Sequence, residues 1–161
     1  MSLKRLAWAV AAGLFLSASP ALAQDAEAEL VTADDTEAIL AIARTFGKAS
    51  LTQQSNGNPQ ITGRMQGFVY QIYFLNCDDD GANCEDLNFY LGFLDVKPTL
   101  EVINDWNYNK RFSRAYLDTD KDACVEMDLD LAVPVSLDYM ESVFDLWSLV
   151  IVQFAEHVGY D

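Results

Sequence analysis

The chain has 161 residues, with 25 acidic and 10 basic side chains and a formal charge of −15 at pH 7. A field of that sign repels phosphate backbones and anionic headgroups, which argues against nucleic-acid and membrane-surface binding. Hydrophobic residues make up 51% of the chain, enough for one domain with a real core and no second one.

The N-terminus comes first. Lys4 and Arg5 precede an uncharged apolar run, Leu6 to Leu16. Pro20 breaks it, and Ala21-Leu22-Ala23 places small residues where a signal peptidase cuts. The run falls well short of the roughly 20 residues that span a bilayer. The pattern predicts a cleavable signal over 1–23, cleavage near Ala23-Gln24 and a periplasmic or secreted product. Acidic, Ala-rich residues 24–31 read as a flexible lead-in to one domain over 32–161.

Thr32-Ala33-Asp34-Asp35 has the form of a helix start, with Thr32 as cap, and Ile39, Ile42, Ala43 and Phe46 repeat at helical spacing. Gly47 or the polar run behind it ends the helix, and Gln53 to Pro59 is loop by composition. Ile61 to Met65 reads as a short strand. Phe68, Tyr70, Ile72 and Phe74 alternate on a second, and Leu87, Phe89, Leu91 and Phe93 on a third. Pro98-Thr99 opens a helix over Leu100 to Lys110, with Val102, Ile103 and Trp106 inward. Phe112 to Leu117 and Val125 to Leu131 form a hairpin, ended by Pro134. Ser136 caps a last helix whose stripe is Met140, Val143, Phe144, Trp147, Ile151, Phe154 and Val158, with Gly159 as stop. Leu146, Leu149 and Val152 fall outside that stripe and are candidate interaction residues. The predicted fold is α+β, a single domain of order α-β-β-β-α-β-β-α with an antiparallel sheet packed by helices.

Three runs carry a resemblance. They are Ile103-Asn104-Asp105-Trp106-Asn107, then Lys110-Arg111-Phe112-Ser113-Arg114-Ala115-Tyr116-Leu117-Asp118, and Glu126-Met127-Asp128. With Phe74-Leu75-Asn76-Cys77, Cys84 and Leu146-Trp147, the chain resembles the YbjN domain family from roughly Thr32 to Val158. The resemblance implies a type III secretion chaperone-like fold and a regulatory role in bacterial sensory transduction. It supplies no catalytic residue. Asn104, Trp106, Asn107, Arg111, Phe112, Arg114 and Asp118 are its motif positions, expected to be structural. Asp118 to Ala123 lacks the Gly expected at the hairpin turn.

Several constellations bear on chemistry. Asp118, Asp120 and Asp122 open like a calcium loop, but Ala123 and Leu129 stand where that loop needs Gly and Glu. Asp78, Asp79 and Asp80, with Glu85 and Asp86, form a second acidic turn. Cys77 and Cys84 flank a turn between antiparallel strands, and an exported chain favours a disulfide between them. Cys124 has the strand parity of Glu126 and falls off the core face. His157 lies near a helix C-terminus with no nucleophile signature beside it. Asn104 and Asn107 bracket Trp106, and Asn104 is the candidate for bonding a helix–strand junction. Gly63 and Gly67 are expected to mark a bend.

These features point to an exported, non-catalytic interaction module without metal or cofactor. Its partner is another protein or a second copy docked on the last helix. The alternatives are a cation-binding envelope sensor using the acidic loops, and an enzyme without a recognisable motif.

Overall fold

The computed structural model describes residues 29–160. The expected export signal, its expected cleavage point and residues 24–28 lie outside the described residues. The elements run β1 (Leu30–Val31), α1 (Thr36–Phe46), β2 (Ala49–Gln53), β3 (Pro59–Met65), β4 (Phe68–Leu75), β5 (Asp86–Phe93), α2 (Leu100–Asn109), β6 (Arg114–Leu117), β7 (Ala123–Asp130), β8 (Val135–Ser136) and α3 (Leu137–Val158).

The expected order survives with three strands added. Six strands form one antiparallel sheet, β2-β3-β4-β5-β7-β6, and β1 pairs with β8 separately. Thus the last two lead-in residues belong to the fold: Leu30 pairs with Ser136, and Val31 pairs with Val135 and is buried. Strand β2 carries no apolar alternation because it is an edge, exposed at all but its first residue. Helix α1 starts at Thr36, four residues after the expected cap. Asp35 turns back to accept from the Thr32 N–H and hydroxyl, so the box residue folds a turn ahead of the helix.

One sheet face makes the core. Ile72, Phe74, Leu87, Phe89, Leu91, Phe93 and Val125 are all nearly sealed from solvent, as period-2 alternation requires. Helix α3 lies against them: Phe89 meets Phe144 and Trp147, and Phe93 meets Phe154. Helix α1 joins through Phe46 against Phe144. Ser136 accepts from the Tyr139 N–H at one end of α3, and Gly159 stops it in the left-handed region at the other. Gly67 does not bend a strand but completes the two-residue turn Gln66-Gly67, where both φ angles are positive. Gly63 sits under Tyr70, whose ring would meet an added Cβ at 2.4 Å. Burial pushes the Tyr70 phenol up to about 12.

Candidate functional site

The motif residues divide into two groups around the α2–β6 junction. The first group is structural. Trp106 is 1% exposed, stacks edge-on to Phe154 and donates Nε1–H to Ser113. Asn107 grips the Ala115 backbone at both its N–H and its carbonyl. Arg114 pairs with Glu126, which also accepts from the Tyr116 hydroxyl at 2.6 Å. Asp118 accepts from the amides of Asp120 and Asp122 and shapes the hairpin turn. Lys121 takes the left-handed φ of 66° there, where a Gly was expected.

The second group faces outward. The Asn104 side chain is exposed and makes no hydrogen bond among the described residues, so the helix–strand junction is held by Asn107 instead. One position decides this: residue 107, not 104, lies beside β6. Arg111 is also exposed. Phe112 is not in the strand, which begins at Arg114. It is 70% exposed and adopts φ 66°, an outlier for an aromatic residue.

Phe112 overhangs α3. A cleft lined by Phe112, Arg111, Leu146, Leu149 and Val150 lies on one side of it. A second, lined by Phe112, Met127, Leu129, Tyr139 and Leu146, lies on the other. Leu146 belongs to both and packs partly on the core, whereas Leu149 and Val152 are 53% and 43% exposed. The three candidate residues therefore share one helix flank, which Tyr139 of the same helix extends one heptad back and which Phe112 joins from outside the helix, where helical periodicity could not reveal it. Phe112 was legible only as part of the motif.

The opposite sheet face carries no helix core. There Tyr90 folds over Gly92, its hydroxyl 3.3 Å from the Cys124 sulfur. Cys124 is off the core face as its parity predicts, yet buried and free. Burial, more than the nearby carboxylates, pushes its thiol up. Tyr116 is likewise raised, first by burial and then by its bond to Glu126.

Each acidic turn has carboxylates that hold its own backbone. Asp122 Oδ1 receives Lys97 Nζ at 2.8 Å and the Asp95 amide. Asp78 accepts from the Asp80 and Ala82 amides and from Asn83, which together hold its carboxyl below the ordinary value. Among the described residues no cluster of three His, Cys, Asp or Glu is placed to hold a metal. His157 Nε2 lies 2.8 Å from the Val102 carbonyl, which only accepts, so that nitrogen carries the proton. The ring packs on Trp106. Cys77 and Cys84 come together with sulfurs 2.11 Å apart and Cα atoms 3.8 Å apart, closer than the roughly 4.4–6.8 Å usual for paired cysteines. No helix among the described residues is long and apolar enough to cross a membrane.

The model of the YbjN family, described as "Putative bacterial sensory transduction regulator", matches residues 35–159. The chain belongs to the YbjN family. No curated protein matches this YbjN sequence. Among solved structures, the YbjN domain is similar to the Yersinia pestis type III secretion chaperone SycH, solved in complex with a stable fragment of YscM2. The two share 17% identity at a TM-score of 0.48, over 81% of this chain and 100% of that one.

Proposed function

We propose that this YbjN domain is an exported, non-catalytic interaction module whose docking face is the outer flank of α3. One observation carries the reading: Phe112, Leu149 and Tyr139 are exposed around two adjoining clefts that share the half-buried Leu146, and Val152 adds exposed apolar surface further along the same helix. Apolar surface gathered in one place on an otherwise acidic protein is the usual mark of a partner site. The occupant is a protein segment or a second copy of the chain.

Three polar residues of the motif, Asn107, Arg114 and Asp118, support a binding role over chemistry, because their side chains are committed to backbone and ion-pair bonds. Export is inferred from the leader pattern of residues 1–23. An oxidising compartment agrees with a Cys77–Cys84 disulfide.

Light scattering of the purified protein, with and without Leu149→Asp, tests the docking face. Self-association that the substitution abolishes supports it. A strict monomer, unchanged by Leu149→Asp and retaining no envelope protein that the variant fails to retain, removes it. Mass spectrometry of the envelope fraction tests export: a chain starting at Met1 in the cytoplasm overturns it.

A further inference from the structure

The six-stranded sheet ends on two edges that differ. At β6, Asn107 occupies both outward groups of Ala115. At β2 the register fixes which groups point out. The Arg64 N–H donates to the Lys48 carbonyl and the Gln54 N–H to the Asn58 carbonyl. Even-numbered residues of this segment therefore bond inward, and Ala49, Leu51 and Gln53 point their N–H and carbonyl groups away from β3. Arg44 Nε takes the Ala49 carbonyl. The backbone groups of Leu51 and Gln53 have no partner among the described residues, and both residues are exposed.

Charge distinguishes the same edge. From Ala38 to Cys77 the chain holds no Asp or Glu, although it has 25 in all, while Arg44, Lys48 and Arg64 fall in this stretch. These residues make α1 beyond its first turn and all of β2, β3 and β4, so half of the sheet is basic and the other half strongly acidic. Lys48 and Arg64 share the strand parity of Ser50, Thr52 and Thr62, on the face away from the helices. Leu51 has the parity of Ile61, on the helix side.

We propose that β2 is a strand-addition site for an extended acidic segment of another protein. The segment continues the sheet through the Leu51 and Gln53 backbone. It presents carboxylates to Lys48 and Arg64 on one face and an apolar side chain to Leu51 on the other, an alternation of period two. A second copy pairing through its own β2 would set cation against cation, so the charge selects a different chain.

The test uses the peptide acetyl-Glu-Val-Glu-Val-Glu-Val-Glu-amide, with its Lys-for-Glu counterpart as control. Calorimetry is expected to show binding of the acidic peptide alone, weakened about tenfold by high salt. Hydrogen exchange is expected to show the Leu51 and Gln53 amides, rapid in the free protein, becoming protected. Leu51→Pro deletes an outward N–H that the β2–β3 ladder does not use, and abolishes binding. Lys48→Glu with Arg64→Glu leaves the backbone intact and also abolishes it. Absent binding, equal binding of the Lys peptide, or binding unchanged in either variant overturns the proposal. None of these outcomes depends on α3, whose Leu149→Asp variant binds the peptide as the parent does.

Discussion

The carboxamide of Asn107 closes both free backbone groups of Ala115, donating Nδ2–H to the carbonyl at 2.9 Å and accepting the amide at Oδ1 at 2.8 Å. A side chain here does the work of a seventh strand and ties α2 to the sheet edge. Asn107→Ala leaves two outward groups unpaired beneath a helix. It is expected to cost about 1–3 kcal/mol in urea unfolding. Asn107→Asp keeps the acceptor, loses the donor and sets a carboxylate against the Ala115 carbonyl, so it is expected to cost no less. Asn104→Ala changes stability by less than about 0.5 kcal/mol, because the Asn104 side chain is exposed and bonds nothing among the described residues.

That contrast marks what the sequence could express. The alternating runs at Phe68–Phe74 and Leu87–Phe93 bury one face by simple parity, and the α3 stripe does so at helical spacing, so core and element type were legible. Strand β2 was not, because an edge strand needs no buried side chain and Ala49–Gln53 has no pattern. Strands β1 and β8 are two residues each and exist only through pairing across the chain. For the site, Leu149 and Val152 were legible as apolar residues off the stripe. Phe112 was not, because its exposure comes from a left-handed backbone at the α2–β6 junction. Which Asn of the motif meets β6 is likewise a matter of tertiary placement.

The three cysteines are expected to behave differently. Cys77 and Cys84 lie in bonding contact across a short turn, and Cys124 lies beneath Tyr90. A cross-link closing so small a loop stabilises by roughly 2.5 kcal/mol in the chain-entropy account. The double variant Cys77→Ser, Cys84→Ser is expected to lose about that much or less in urea unfolding. Alkylation of the native protein without reductant is expected to label none of the three. Denaturation alone adds one label, on Cys124, and denaturation with reductant adds three. Three labels on the denatured, unreduced protein would refute the cross-link.

Asp122 and Lys97 tie the β6–β7 turn to the segment after β5 with a 2.8 Å contact. The hydrogen bond from Lys97 is the main cause that holds the Asp122 carboxyl below its ordinary value. The sign follows from that lowering. As pH falls, the unfolded chain takes up the proton first, so the contribution is complete above the ordinary carboxylate value and is lost through the lower folded one. Asp122→Asn is therefore expected to destabilise at pH 7. Its difference from the parent closes as pH falls below about 4. A difference that holds constant from neutral pH into strong acid would assign the effect to packing instead.

Phe112 separates stability from binding. Its left-handed backbone costs an ordinary side chain about 1–2 kcal/mol, while Asn visits that region readily. Its ring, 70% exposed, returns little packing to the isolated domain. Phe112→Asn is thus expected to raise unfolding stability by about 0.5–1 kcal/mol. The same substitution removes the aromatic that overhangs both α3 clefts. Association through Leu149 is expected to weaken as stability rises, a combination that loss of a core residue does not produce. A variant that is both less stable and less associated would place Phe112 in the packing of the fold and take it out of the docking face.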